Sequence, residues 1–456
     1  MIKRRHSIKI AILLLVDIIF LYAALITGLF LRYSGTRSLK YMFMIHPFPF
    51  TVIFSVWIIV FGALGLYDLH LLKNSKKFLY QLIRVMAINT LLAIFLFYIF
   101  PFEIEPRRNL AIVVSLSTVF IFSWRYLFNF LILKTSTSQI LFLGYNSEID
   151  NLASYLLDNP QLGHKPVGFV TDQGFEKTNT GLPRYTTEQK LTEIIRITKT
   201  DTIVMIPELK ENRILLKSLL GILPDGIWIT EFPSFHEMLT GKIPLSLIEE
   251  TWFLENLVGL RKKTYDFLKR GLDIILSIIL GIPSILIYPI LAIIIKIESS
   301  GPVFFRQKRV GKNGQSFYLL KYRSTYRTSV DQSEGWQKEG KNIYTKIGRL
   351  LRKSYLDELP QIINILRGEM SFVGPRPERP EFIEKLEEKI PFYRTRLLTK
   401  PGLTGWAQIN MRDDAAAQDA PEKMQYDLYY IKNRSLALDL LIALKTAGTL
   451  LHRQGR

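Results

Sequence analysis

GLDIILSIILGIPSILIYPILAIIIKI, Gly271–Ile297, is the stretch on which the arrangement of this chain turns. It exceeds the roughly 20 apolar residues that a bilayer-crossing helix needs. It also holds Pro283 and Pro289. Proline inside a helix removes a backbone donor and crowds the preceding turn. Two of them this close together predict a sharp break in the second half of the run. A helix broken in mid-bilayer can turn back to the side it came from when protein or headgroups satisfy the freed backbone groups. The run therefore reads as a re-entrant membrane helix over 271–297. The alternative, a kinked fifth span, would put everything after it on the opposite side of the membrane.

Towards the N-terminus lie four more apolar runs, Ile8–Leu31, Phe48–Tyr67, Leu82–Phe102 and Leu110–Leu133. Each approaches or exceeds the length of a span, so residues 1–134 read as a four-helix transmembrane domain. The first run is too long for a signal peptide and lacks a small-residue cleavage site. It contains Asp17, and an intramembrane carboxylate faces other helices, here most simply as a structural hydrogen bond. Lys3, Arg4, Arg5 and Lys9 precede the first run, and Lys73, Lys76 and Lys77 sit between the second and third. This bias places the N-terminus in the cytoplasm and, after four spans, returns the chain there.

Residues 135–258 change character. Strand-like runs at Gln139–Leu143, Pro166–Val170, Thr202–Ile206 and Gly226–Thr230 alternate with helical patterns at Glu148–Leu157, Glu188–Thr198 and Asn212–Ile222. That alternation predicts a parallel, Rossmann-like α/β domain. The first turn, LGYNSEID, has Gly144 but no second or third glycine, so no dinucleotide fingerprint is present. The domain reads as a spacer or regulator, and as a candidate for pairing subunits in a homo-oligomer.

Residues 259–456 hold most of the chain's charge. The whole sequence carries a formal +19, and from Gly259 onward 34 Lys and Arg face 20 Asp and Glu. Such an excess calls for an anionic partner: phosphorylated substrate, lipid headgroup or nucleic acid. A nucleic-acid surface would interleave basic residues with exposed aromatics, and no duplex-reading motif is present, so no nucleic acid is expected. The chain has no cysteine, which excludes thiolate metal sites and cysteine nucleophiles. Ser299–Ser324 alternates turn signals with two short β segments and carries Lys321 and Arg323 on a strand, where they are better held for a site than loop cations.

The densest signal is IGRLLRKSYLDELPQIINILRGEMSFVGPRPERPEF, Ile347–Phe382. Pro360 belongs in the first turn of a helix, so the helix over Gln361–Leu366 should start near Asp357 and place Asp357 and Glu358 at its positive end. There the ionised forms are favoured, which predicts a low-pKa Asp357. Glu358 can then bind a divalent cation, and Mg²⁺ suits one or two carboxylates combined with substrate phosphates. A pair of acids capping a surface helix is the plain alternative. Arg352 before the pair and Arg376 on the rigid turn Gly374–Pro377 argue for an anionic substrate, because arginine matches phosphate bidentately. In KPGLTGWAQINMR, Lys400–Arg412, the alternation of Trp406, Gln408 and Asn410 fits a strand or extended loop that supplies base stacking and amide hydrogen bonds, or a loop packed by its tryptophan. Asp427, among tyrosines, is a candidate second metal or ribose ligand.

In order along the chain occur KR-x-x-D at Lys269–Asp273, SGPVFFRQ-x-R-x-G at Ser300–Gly311, K-x-R-S at Lys321–Ser324, LDELPQ at Leu356–Gln361, SFVGPRP at Ser371–Pro377 and PGLTGWAQIN at Pro401–Asn410. With these motifs the segment from Lys262 to His452 closely resembles the bacterial sugar transferases, the polyprenyl-phosphate hexose-1-phosphate transferases. The layout resembles the family's large members, with four spans and a Rossmann-like domain before the catalytic unit. The resemblance implies an α+β monotopic catalytic domain on a re-entrant helix, in the bacterial inner membrane on the cytoplasmic face. It implies Mg²⁺, a UDP-hexose donor and a polyprenyl phosphate acceptor among membrane lipids. It implies attack by Asp357, a phosphosugar-aspartyl intermediate and release of UMP. Glu358 would hold the metal, while Lys321, Arg352 and Arg376 would contact phosphates. Gln408, Asn410, Arg412 and Asp427 are donor-binding candidates. Three positions depart from the family pattern: Leu286 where the helix proline usually falls, Thr325 after K-x-R-S, and Met411 where a glycine is usual. The hexose is not legible. The rival readings are a non-catalytic scaffold or regulator that keeps the fold, and a transporter built on the spans.

Overall fold

A computed structural model describes the chain except residues 1, 37, 69–73, 101, 103–105, 136, 172–179, 188–189, 249, 258–261, 327–343, 412–418 and 453–456. It forms two compact units, Met1–Leu239 and Thr240–Arg456.

The first unit opens with α1 (Ile2–Tyr33), α2 (Leu39–Ile45), α3 (Pro47–Ala63), α4 (Lys76–Ile99) and α5 (Pro106–Thr135). Segments of α1, α4 and α5 are each long and apolar enough to cross a membrane, and α2–α3 form a further candidate bent by 47°. Most of each of the four expected apolar runs is thus helical. Asp17 on α1 meets Arg125 on α5 at 2.5 Å with both side chains fully buried, and Arg125 also donates to the Leu66 carbonyl. The carboxylate faces other helices, as expected for a charge held away from lipid.

Next come β1 (Ser138–Leu143), α6 (Ser147–Asp158), β2 (His164–Val170), β3 (Arg184–Tyr185), α7 (Leu191–Thr198), β4 (Thr202–Met205), α8 (Arg213–Ile222), β5 (Trp228–Glu231) and α9 (Phe232–Thr240). The five strands form one parallel sheet in the order β3-β2-β1-β4-β5. Leu141, Leu143, Ile203 and Met205 bury one of its faces against Ile194, Leu219 and Ile222. The edge strand β3 was not foreseen, because two residues carry no readable period. Gly144 has φ +92°, and a Cβ there would meet Ile206 Cδ1 at 2.5 Å. The glycine that would admit a pyrophosphate in a dinucleotide fold is therefore used here to seat Ile206.

The second unit holds α10 (Glu250–Leu257), α11 (Lys263–Glu298), β6 (Phe304–Val310), β7 (Ser316–Tyr322), α12 (Lys346–Lys353), α13 (Gln361–Arg367), β8 (Ser371–Val373), α14 (Pro380–Glu387), β9 (Gly402–Thr404), α15 (Trp406–Asn410), α16 (Ala420–Asn433) and α17 (Leu436–His452). The expected boundary at 258/259 falls outside the described residues, and the compact units divide earlier, after Leu239. The reason is packing: Ile243 and Ile248 share a core with Ile383, Met424 and Leu428, with Trp252 and Phe253 against it.

β6 and β7 pair as an antiparallel hairpin, Phe304 opposite Tyr322 through Val310 opposite Ser316. α11 corrects an expectation. It is one helix of 36 residues with Pro283 and Pro289 inside it, and neither proline ends it. Each proline removes a single donor, and the bonds on either side carry the helix across both. What keeps α11 on its unit is anchoring at both ends. Lys269 bonds Asp439 at 2.7 Å, Arg270 donates to the Ile365 and Leu366 carbonyls, and Asp273 accepts from Ser371 and Phe372. At the other end Leu291 and Ile295 pack on Val303, Tyr322 and Leu351, and Glu298 accepts from the Lys346 and Ile347 amides at the start of α12. Between these anchors Ile279, Ile282, Ile285 and Leu286 stand exposed.

Candidate active site

The site begins at the end of α12. Tyr355 has φ +56°, a left-handed conformation that turns the chain sharply out of the helix. A short 3₁₀ turn, Leu356–Glu358, follows, and Pro360 caps α13. The acid pair therefore sits one turn ahead of α13 rather than within its first turn. Asn364 fixes this segment to the hairpin: its Oδ1 accepts from the Leu320 amide at 3.1 Å and its Nδ2 donates to the Tyr318 carbonyl at 2.8 Å. A side-chain amide thus extends the edge of β7, and that register puts Lys321 beside the pair. Asn364 was missed at the sequence level, because a single amide in an apolar helix carries no pattern.

Glu358 Oε1 accepts from Lys321 Nζ at 2.7 Å and from Arg376 Nη2 at 3.3 Å. Burial alone would raise its pKa, but Lys321 and Arg376 more than reverse this and bring it to about 2. Asp357 is 6% exposed. No hydrogen bond reaches its carboxylate among the described residues, and burial pushes its pKa up despite the field of Lys321. The expectation of a low-pKa Asp357 is reversed. Glu358 is the firmly held anion, because both cations lie on it and the helix dipole is the weaker influence.

Arg376 is presented by the turn Gly374–Pro377, which is tightly tied. Gly374 donates to the Thr404 carbonyl and Gly402 to that of Pro375, each at 2.9 Å. A Cβ on Gly374 would sit 2.4 Å from the Lys400 carbonyl oxygen, so no other residue fits there. Arg396 donates to the Arg376 carbonyl at 3.0 Å and Arg309 to that of Pro377 at 2.9 Å. Behind the turn lies a buried ionic network unseen in the sequence. Arg396 pairs with Asp427 at 2.8 Å, and Glu378 takes Lys423, Arg396 and Arg309. Arg352 comes close enough for its charge to act on Asp357, and its guanidinium lies 4.2 Å from the centre of the Tyr344 ring.

Several candidates lie elsewhere. Arg323 is buried and donates to the Ser299 and Ser300 carbonyls, so it holds the entry to β6 rather than reaching the acid pair. Asp427 is 1% exposed and closed by Arg396, which leaves it a support for the Arg376 turn and not a metal or ribose ligand. Trp406, Gln408 and Asn410 are on α15, not on a strand. Trp406 stacks on Tyr429 and donates to the Gly241 carbonyl, so its ring packs the unit. Gln408 and Asn410 donate to the Leu403 and Trp406 carbonyls of their own segment. Their alternation suggests a period of two, but Gly405 starts a helix there. Arg412 lies outside the described residues.

Two carboxylates here could hold a divalent cation. Lys321 and Arg376 both lie on Glu358 Oε1, so Oε2 and the neighbouring Asp357 are the oxygens that would hold it. No group of three or more metal-binding side chains occurs among the described residues. A site of one or two carboxylates is completed by water and substrate phosphate, which is how Mg²⁺ is commonly held.

Fold and site define a membrane protein whose C-terminal unit carries a buried carboxylate–cation centre. The chain belongs to the bacterial sugar transferase family, whose profile matches residues 264–453. A second profile, described as a CoA-binding domain, matches residues 62–219. A UDP-N-acetylgalactosamine-undecaprenyl-phosphate N-acetylgalactosaminephosphotransferase of Aeromonas hydrophila is 40% identical over 49% of this chain and 53% of its own length. A UDP-glucose:undecaprenyl-phosphate glucose-1-phosphate transferase of Xanthomonas campestris is 31% identical over 68% of this chain and 66% of its own. A protein of the same description from Caulobacter vibrioides is 35% identical over 50% of this chain and 87% of its own. The matches thus span 53% and 66% of the lengths of the Aeromonas and Xanthomonas proteins.

Proposed function

We propose that this chain transfers a hexose-1-phosphate from a UDP-hexose to undecaprenyl phosphate, at the cytoplasmic face of the bacterial inner membrane. The observation that carries the reading is the asymmetry of the acid pair. Glu358 is locked to two cations, while Asp357 is nearly buried and accepts no hydrogen bond among the described residues. A desolvated carboxylate without donors is a better nucleophile than a hydrated one, and covalent catalysis divides one hard displacement into two easier ones. In the first step an Asp357 oxygen attacks the sugar-linked phosphorus, and the bond from that phosphorus to the bridging oxygen breaks. UMP leaves with that oxygen. In the second step a phosphate oxygen of the acceptor attacks the same phosphorus, and the Asp357 carboxylate is released. Lys321 and Arg376 oppose the charge that gathers on the phosphoryl oxygens, and Arg352 adds to the field. Mg²⁺, held through Glu358, would neutralise donor phosphate charge. The anchoring of both ends of α11 in one unit supports a monotopic catalytic domain.

The test is UMP release by the full chain in lipid nanodiscs with UDP-glucose, UDP-galactose or UDP-N-acetylated hexoses and undecaprenyl phosphate. Asp357→Asn should lower the rate at least about 10³-fold with the fold intact, and EDTA should stop turnover until Mg²⁺ is returned. Full turnover by Asp357→Asn would remove the nucleophile assignment. Absence of UMP release with every donor would favour the scaffold reading.

A further inference from the structure

At the far end of α13 from the acid pair, cations converge on a point where there is no side chain. Gly368 closes α13 with φ +82°, and a Cβ there would lie 3.4 Å from Lys400 Nζ and 3.8 Å from Arg270 Nη2. Two positive groups thus face one glycine corner. Lys400 makes no hydrogen bond or ion pair with any described residue. Burial, and then the charge of Arg270, pushes its ammonium below the ordinary lysine range, and Lys312 adds to the repulsion. Asp273 and Asp266 offset part of this repulsion, but neither bonds to Lys400: Asp273 accepts from Ser371 and Phe372, and Asp266 pairs with Arg434. Arg270 caps the Ile365 and Leu366 carbonyls but keeps its full charge. Two half-buried cations that face one corner without a direct ion pair there are costly unless an anion completes the site.

The surroundings narrow the class of anion. Arg270 immediately precedes the apolar run of α11. Phe267, Leu268 and Leu272 on the same helix are exposed, as is Leu366 on α13. An anion that carries hydrocarbon satisfies both features at once. The site is not the reaction centre, since the seven residues of α13 put about 10 Å between them. We propose that Lys400 and Arg270, with Lys312 at the rim, bind the phosphate of a lipid at the membrane face of this unit.

Two lipids carry that group: an anionic phospholipid, and the polyprenyl phosphate acceptor before it moves to Asp357. The test is native mass spectrometry of the full chain in neutral detergent, titrated with phosphatidylglycerol, undecaprenyl phosphate and, as a neutral control, phosphatidylcholine. Lys400→Gln should bind the phosphate lipid about fivefold more weakly, and Lys400→Arg should restore it. Lys312→Gln on the β6–β7 turn should weaken it to a smaller degree, which reads the site even if Lys400→Gln unfolds. A loss with phosphatidylglycerol assigns a phospholipid, and a loss confined to undecaprenyl phosphate assigns the acceptor. Asp357→Asn should bind phosphatidylglycerol as the wild type does, so that arm stands apart from the transfer reaction. Equal binding of both lipids by wild type, Lys400→Gln and Lys312→Gln would overturn the proposal.

Discussion

Asp357 and Glu358 are neighbours in sequence and opposites in electrostatics. The pKa of Asp357 is raised by burial and that of Glu358 is held near 2 by Lys321 and Arg376. The acid limb of kcat/KM should therefore lie above the ordinary Asp value of 3.8 and follow Asp357. Stability should respond in the other direction. Glu358 and Glu378 both fall from 4.5 to about 2 on folding. Depressed carboxylates contribute fully above their unfolded pKa and lose that contribution as pH falls through the folded one. Denaturant titrations of the full chain should show stability declining from about pH 4.5 towards pH 2, and a flat profile there would count against the two ion-pair clusters. Lys321→Gln should raise Glu358 and shrink that dependence, with a loss of about 1–3 kcal/mol at neutral pH. The acid pair was legible because LDELP joins adjacent carboxylates to a helix-starting proline. The network behind Arg376 was not, because Glu378, Arg396 and Lys423 each alone resemble a solvated surface charge, and Asp427, a ligand candidate in sequence, meets them only in three dimensions.

For elements, legibility followed the length of the period. The four N-terminal apolar helices, four strands of the parallel sheet and the β6–β7 hairpin stand close to where the sequence put them. α15 was misread because five residues are too few to separate a period of two from one of 3.6. α11 shows a different limit: proline chemistry says where a helix is weakened, and tertiary anchoring decides whether it ends. At 1.5 Å per residue its 36 residues extend for about 54 Å, yet both ends are bonded to one unit. A span would leave its ends on opposite sides of the bilayer. The chain contains no cysteine, so single cysteines can be read without background. Lys263→Cys before the apolar run and Ser300→Cys after it should both react with a membrane-impermeant maleimide from the same side of sealed vesicles. Labelling from opposite sides would make α11 a span and reverse the topology of the C-terminal unit.

For the whole molecule, the question is why a unit of the sugar transferase family travels with a five-stranded parallel sheet. The strand order gives that sheet a topological switch point between β1 and β4, where ligands bind in folds of this kind. The match to a CoA-binding profile raises the same expectation. The local packing opposes it. Gly144 lies at the end of β1 with its open side against Ile206, just beyond β4, and its φ of +92° disfavours any other residue. Ile206 stands where a pyrophosphate would approach Gly144, so this turn does not fit the pyrophosphate of CoA. On that packing we read the sheet as a spacer or regulator rather than a nucleotide site. Two measurements separate this from a nucleotide-binding role. CoA at millimolar concentration should leave the thermal midpoint of the full chain unmoved, because only a ligand that binds the native state raises it. Gly144→Ala, forced against Ile206, should lower stability by about 1–3 kcal/mol without changing UMP release at temperatures where the chain stays folded. A midpoint that rises with CoA and is lost in Gly144→Ala would mean that Ile206 moves aside and that the switch point is a working site.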